Sequence, residues 1–239
     1  MSLTRSNINP SSEIWGGDLI SMLPKPYYQD DAVVLYLGDC REIVSHLGRF
    51  DLLLTDPPYG IGADKTMARQ SGQRYGKAAT AKRAYESTDW DSKPPEKELL
   101  QMLISSSSEA IIWGGNYFDL PPCVGPLLWD KENGTNNFAD GELAWNNLGS
   151  ALRIKRHMWN GMLRKGGEDR SHPTQKPLDV IAWCITLASD PKTILDPFAG
   201  SGTTGRAAKD LGRKCTMIER EEKYCEIAAK RMAQEVLCL

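Results

Sequence analysis

Two short segments of this 239-residue chain hold residue types that can do chemistry. The first is TDPPYG, residues 55–60, which follows the apolar run FDLLL. Asp56 offers a carboxylate. Pro57 and Pro58 carry no N–H, so they fix the direction of the chain and leave the carbonyls around them free to accept hydrogen bonds. Tyr59 adds a flat aromatic face. Acceptors beside an aromatic plate suit a planar base bearing an NH2 group, although a Pro-Pro turn with a core tyrosine would use the same residues.

The second segment is ILDPFAGSGTTG, residues 194–205. Asp196 ends an apolar run. Gly200 and Gly202 then let the backbone turn sharply and come close to a ligand. The next apolar run, KCTMIE, ends in Glu219. An acid roughly 20 residues after such a turn can accept from ribose hydroxyls. Together these residues describe a nucleoside site at the carboxyl edge of a parallel sheet. A P-loop is excluded, because Thr203 and Thr204 stand where its lysine and hydroxyl residue belong. The spacing GSGTTG does match a dinucleotide-binding turn, but Asp196 would repel a pyrophosphate. A carboxylate there suits an ammonium group such as that of S-adenosylmethionine. A nicotinamide dehydrogenase would also leave DPPY without a purpose.

The elements that must position these segments alternate. AVVLYLGD (32–39), FDLLLTD (50–56), EAIIWGG (109–115), KTILD (192–196) and KCTMIERE (214–221) read as strands. GPLLWDK (125–131) and GELAWNN (141–147) read as two more, antiparallel at the sheet edge. Helical spacing predicts helices over 41–47, 96–107, about 177–189, after the glycine turn, and over 222–236. Strands alternating with helices predict an α/β fold with a mostly parallel sheet. The first thirty residues are polar and rich in Pro and Gly, and are expected to pack loosely. We read 1–31 as an N-terminal extension and 32–239 as the domain. Residues 60–85 have little apolar periodicity, as expected of a functional or disordered loop. Residues 151–171 show no clear element.

Composition narrows the class. A hydrophobic fraction of 41% and a charged fraction of 25% are those of a soluble globular protein. No apolar run approaches membrane-spanning length and the start lacks a signal-peptide core, so a cytoplasmic location is expected. Six cysteines without a CxxC pair and three scattered histidines indicate neither a disulfide framework nor a metal site. The net charge of -2 does not itself suggest a nucleic-acid binder. Two stretches are locally basic, however: Lys65, Arg69, Arg74, Lys77, Lys82 and Arg83, and then Arg153, Lys155, Arg156, Arg164, Lys165 and Arg170.

With both segments in view, the chain resembles the beta subgroup of DNA amino-methyltransferases over about residues 32–235. DPPY resembles their catalytic motif, and DPFAGSGTTG their cofactor turn. The circularly permuted order, catalytic motif first, is also that of the subgroup. The resemblance implies a Rossmann-like methyltransferase fold and S-adenosyl-L-methionine as cofactor. LGDC (37–40) resembles the segment meeting the cofactor's adenine, which implicates Asp39 and Cys40. HPTQKP (172–177) resembles the segment lining its methionine end, which implicates His172, Thr174 and Lys176. The turn implicates Asp196, Phe198, Ala199, Gly200, Ser201, Gly202, Thr203 and Thr204, and the next strand Glu219 and Arg220. Asp56, Pro57, Pro58 and Tyr59 would act on the base. WDK (129–131) and the Trp145 strand stand where relatives build the target-base side.

The implied partner is double-stranded DNA, with methylation of N6 of a flipped adenine, as in restriction-modification systems. Residues 60–85 would be a mobile DNA-facing loop and 150–171 a short target-recognition segment. No membrane partner is implied, and monomer or homodimer is left open. N4-cytosine methylation uses the same chemistry, with SPPY more often than DPPY. RNA methylation goes with NPPY and the opposite order. A C5-cytosine enzyme would need a nucleophilic cysteine after proline, and Cys123 follows the wrong strand. A retired, DNA-binding domain would not need Asp56, Tyr59, Asp196 and Glu219 intact.

Overall fold

The computed structural model describes residues 23–62, 91–134, 139–159 and 175–234. Their strands form one nine-stranded sheet in the order β1-β2-β9-β8-β3-β4-β6-β5-β7. The strands are β1 (Tyr28–Gln29), β2 (Val33–Leu37), β3 (Phe50–Thr55), β4 (Ser107–Trp113), β5 (Leu127–Asp130), β6 (Gly141–Asn146), β7 (Arg153–Arg156), β8 (Thr193–Asp196) and β9 (Lys214–Glu219). The helices are α1 (Cys40–Ile43), α2 (Lys97–Ser105), α3 (Leu178–Leu187), α4 (Thr203–Asp210) and α5 (Glu222–Met232).

The apolar runs are continuous because both faces of the sheet are covered. Alternate residues of β3 go to opposite cores. Leu52 and Leu54 join Val33, Leu35, Ile111, Trp113 and Met217 beneath α3, α4 and α5. Leu53 joins Tyr36, Ala110, Ile112, Leu195 and Ile218 against Ile43 of α1 and Leu100 and Leu103 of α2. The helical face expected of Ile181, Cys184, Ile185 and Ala188 is buried as expected. The described cysteines are free thiols, and all but Cys123 are buried. None of the described helices is long and apolar enough to cross a membrane.

The sequence reading needs correction at both margins of the sheet. Tyr28 and Gln29, within the stretch expected to pack loosely, pair antiparallel with Leu35 and Val34. Residues 153–156, expected to carry no element, form β7 in parallel register with β5. Alternating charged residues beside one isoleucine give no apolar signal, so an edge strand of this kind is silent in sequence. The antiparallel strand expected near this edge is β6, which runs against both β4 and β5. The other seven strands, β1 aside, are parallel to one another, so their carboxyl ends share one edge.

The path reverses between β8 and β3. From β3 the chain moves outward to β4, and from β8 it moves the other way to β9. Loops leaving such a pair diverge and open a crevice at the carboxyl edge, where ligands bind in open α/β sheets.

Candidate active site

A cavity of about 430 Å³ lies at this crevice. Four strand ends supply it: Gly38 to Arg41 after β2, Asp56 and Pro58 after β3, Pro197, Phe198 and Gly200 after β8, and Glu219 to Glu221 at and after β9. The fifth wall is the segment Ser92 to Glu96 with Leu99 of α2. The cavity therefore gathers Asp39, Cys40, Asp56, Pro58, Phe198, Gly200, Glu219 and Arg220 of the residues singled out by sequence. It adds the 92–96 wall and Tyr224, which periodicity did not reveal. Five carboxylate residues line it (Asp39, Asp56, Glu96, Glu219, Glu221) against three cationic ones (Arg41, Lys93, Arg220), a balance that suits a cationic ligand.

The glycine turn is built as its sequence requires. Gly200 and Gly202 have φ of 50° and 78°. Gly202 leads into α4, and a β-carbon there would stand 2.9 Å from Cβ of Ala228. Glu219 ties the turn to β9, its carboxylate accepting from the N–H of Gly200 and of Glu221, each at 2.8 Å. Burial pushes its carboxyl above the usual range, and these backbone N–H groups only partly offset that. Asp39 caps α1 by accepting from the Arg41 N–H at 2.9 Å and pairs with the Arg41 side chain at 2.5 Å.

Ala199, Ser201, Gly202, Thr203 and Thr204 of the turn, and Asp196 before it, stand away from the cavity lining. Ala199, Ser201, Thr203 and Thr204 are buried, Ser201 donating to Gln175 at 3.3 Å and Thr203 accepting from Arg231 at 3.1 Å. Asp196, expected to face an ammonium group, is turned inward instead. It is buried and accepts from the Thr55 hydroxyl at 2.8 Å and the Phe198 N–H at 3.2 Å. Burial raises its carboxyl to about 6, against hydrogen bonds from Thr204, Thr55 and Phe198.

Lys176 is also displaced from its expected place. It does not line the cavity; it is buried beside the DPPY segment. Its ammonium donates to Asp56 Oδ2 at 2.6 Å, to Tyr59 Oη at 3.0 Å and to Glu142 Oε2 at 2.9 Å. A lysine has three N–H donors, so this set is complete. The Tyr59 hydroxyl in turn donates to Asp56 Oδ1 at 2.6 Å. Glu142 also receives Lys131 at 2.5 Å on Oε1. Two carboxylates thus meet two ammonium groups, which removes most of the cost of burying them.

Burial works against the Glu142 charge, but Lys176 and Lys131 outweigh it and hold its carboxyl down to about 2. Asp56 goes the other way: burial and the neighbouring Glu142 raise it in spite of Lys176. Burial and both carboxylates hold the Tyr59 phenol well above its ordinary value. Glu142 is the functional candidate that the sequence reading missed. The signal was there: an acid inside GELAWN, a strand already placed on the target-base side.

Tyr59 has close neighbours on its ring. Its ring stacks on Tyr117 with centroids 4.8 Å apart and meets Phe118 edge-on at 6.1 Å. Gly114, with φ of 72°, lies against the ring, and a β-carbon there would overlap it. The Gly60 N–H donates to Asp91 at 2.7 Å, which pins the loop after Tyr59 to the 91–96 wall. Pro57 is buried beneath it.

Of the basic residues, Arg153, Lys155 and Arg156 lie on edge strand β7, Arg156 exposed and 3.4 Å from Asp130. Arg156 ends β7 at the same sheet edge as the cavity. Lys65, Arg69, Arg74, Lys77, Lys82, Arg83, Arg164, Lys165, Arg170, His172 and Thr174 lie outside the described residues.

The comparisons with known proteins agree with this geometry. The family described as DNA methylase matches residues 129–230. The relatives it matches are DNA methyltransferases of restriction-modification type, to which the chain is similar. Among curated members of such systems, it is 28% identical to the type II methyltransferase M.HinfI of Haemophilus influenzae, over 82% of this chain and 67% of that one. It is 27% identical to M.ScaI of Streptomyces caespitosus, over 93% and 88%. Among solved structures, the fold is similar to that of the cytosine-N4-specific PvuII DNA methyltransferase, with a TM-score of 0.55 and 13% identity over 88% of this chain and 90% of that one. It is also similar to the M1.HpyAVI–SAM complex, with a TM-score of 0.51 and 21% identity over 84% and 100%. The Rossmann-like α/β fold shared with these structures, with its mostly parallel sheet, is the one described above.

Proposed function

We propose that this chain transfers a methyl group from S-adenosyl-L-methionine to N6 of an adenine flipped out of double-stranded DNA. The observation that carries the reading is the position of Asp56. It lines the cavity at the switch point and is at the same time bonded to Tyr59 and Lys176. One carboxylate therefore joins a nucleoside-sized cavity to an aromatic face.

The residues fit the cofactor on two counts: the acidic lining suits a cation, and Glu219 stands beside the glycine turn where ribose hydroxyls can be met. Asp39, Cys40, Phe198, Gly200, Glu219 and Arg220 would hold it. S-adenosyl-L-methionine supplies an electrophilic methyl group on a sulfonium centre. Asp56 and the Pro57 carbonyl accept from the base amine and free its lone pair from the ring. Tyr59 stacks on the base, which takes the place that Tyr117 occupies against its ring. Most of the acceleration comes from holding the amine in line and away from water. Extruding the base costs a few kcal/mol in lost stacking. Arg153, Lys155 and Arg156, with the basic residues of 65–83 and 164–170, contact phosphates, and 150–171 reads the target.

The aspartate form of the motif supports adenine over cytosine. The test is transfer of labelled methyl to unmodified DNA, followed by nucleoside mass spectrometry. N6-methyladenine that disappears in Asp56→Ala is the expected result. N4-methylcytosine would keep the mechanism and overturn the base, and transfer by Asp56→Ala at the unaltered rate would overturn the mechanism.

A further inference from the structure

Glu142 lies on β6, two strands from β3, yet it shares both partners of Asp56. It receives Lys176 at 2.9 Å, and its Oε2 stands 3.4 Å from the Tyr59 hydroxyl. That hydroxyl now donates to Asp56 Oδ1 at 2.6 Å, the oxygen that Lys176 leaves alone. A base amine seeking Oδ1 competes with the phenol. Glu142 is the neighbouring acceptor to which the phenol can turn without losing a hydrogen bond. Leaving it unpaired at this depth would forfeit a hydrogen bond that water cannot readily replace.

We propose that Glu142 is a positioning residue of the methyl-transfer site: through Lys176 and the Tyr59 hydroxyl, it releases Oδ1 of Asp56 to the base amine and strengthens that carboxylate as a proton acceptor. This rests on the methyl-transfer reading above and deepens it. The nitrogen's lone pair forms the bond to the methyl carbon as the carbon–sulfur bond of the sulfonium breaks, the bonding pair leaving on sulfur as a neutral thioether. The nitrogen then loses one proton to Oδ1 of Asp56. The base ends neutral, the carboxyl ends protonated, and the proton leaves to water. A like charge held near Asp56 by a shared ammonium makes Asp56 the better acceptor.

Among the described residues, the charged and titratable groups facing this pair are Lys131 after β5, Lys176 before α3, Tyr59 after β3 and Asp196 at the end of β8. Lys131 meets only Glu142 among them and ties that carboxylate from its far side. The arrangement distinguishes the two acids, since Glu142 is fully paired by lysines while Asp56 borders the cavity.

The experiment compares the unaltered chain with Glu142→Gln, Glu142→Asp and the double variant Lys131→Met/Glu142→Gln, which leaves no unpaired ammonium if the single variant folds poorly. Three things are measured: single-turnover rates with DNA across pH, KM for DNA, and titration of the Asp56 carboxyl by 13C NMR without ligand. In both Gln variants the rate is expected to fall about 10- to 100-fold with little change in KM, the loss typical of a misplaced catalytic group. Their acid limb and Asp56 titration are expected to move to lower pH, because a like charge has gone. Glu142→Asp is expected to restore the position of the limb. A rate loss without movement of the limb or of the carboxyl titration, or no rate loss at all, would overturn the proposal. Absence of methyl transfer by the unaltered chain would overturn the reading on which it rests, whatever the carboxyl does.

Discussion

Asp56 and Asp196 follow or end neighbouring parallel strands, β3 and β8, and both carry carboxyls raised by burial. Their surroundings differ. Asp56 faces the cavity and is shared between an ammonium and a phenol. Asp196 is sealed among neutral donors, the hydroxyls of Thr55 and Thr204 and one backbone N–H. A carboxylate with a buried counter-ion can stay charged beside a ligand, whereas one with only hydroxyls ionises against its surroundings. Neighbouring strand ends therefore yield one acid fitted for contact with a substrate and one that braces β3 against β8.

The comparison can be broken most forcefully at Lys176. Lys176→Met leaves Asp56 and part of Glu142 without a cation. The expected loss of stability is about 3–5 kcal/mol, and methyl transfer should fall at least about 100-fold. Chemical denaturation and single-turnover assays check both. Retention of full activity would mean that Asp56 needs no counter-ion.

Asp196 should respond in the opposite sense. Its folded-state value of about 6 lies above its ordinary 3.8, so ionisation inside the protein is penalised. Both states are neutral below pH of about 4, and the penalty is complete above about 6. Asp196→Asn keeps an oxygen for the Phe198 N–H and removes the charge. It should stabilise the chain at pH 7–8 by up to about 3 kcal/mol, and the gain should vanish at acid pH. Denaturation midpoints across pH decide this. A gain independent of pH would place the effect in packing rather than ionisation.

The pH profile of the unaltered chain sharpens the same contrast. Because the Asp56 carboxyl is raised, the proposed activity should be lost as pH falls through a value above the ordinary carboxylate range. An acid limb within that range would show that Lys176 dominates over burial. The smallest effect is expected at Tyr117, which covers the Tyr59 ring. Tyr117→Ala forfeits a stacked pair worth about 0.5–1.5 kcal/mol and uncovers the face offered to a base. The expected outcome is a slightly less stable chain with a few-fold lower KM for DNA, read with a fluorescent base analogue. A raised KM would make Tyr117 a wall of the base pocket rather than an occupant of its place.

Much of the cavity was legible because its parts are local. A strand followed by Pro-Pro, and a strand followed by closely spaced glycines, announce their geometry within a few residues. Asp56, Pro58, Gly200 and Glu219 accordingly line one cavity at the carboxyl edge of the sheet. The 92–96 wall was illegible, since DSKPPE has neither periodicity nor a ligand-binding spacing. β7 was missed because edge strands need not be apolar on either face. Lys176 and Glu142 were misplaced or overlooked for another reason: an ion cluster assembled from β3, β6 and the start of α3 leaves no pattern in any one of those segments.

The amino-acid sequence by itself determined the alternation of strands and helices, the two loops that carry chemistry, and the likeness to DNA amino-methyltransferases. Those features follow from hydrophobic period and from the backbone freedom of Gly and Pro, which act over a few residues. Only the tertiary structure decided which acids are paired. Charge pairing depends on distance through space, and the 120 residues between Asp56 and Lys176 close to 2.6 Å only when β3 and the start of α3 meet at one edge of the sheet.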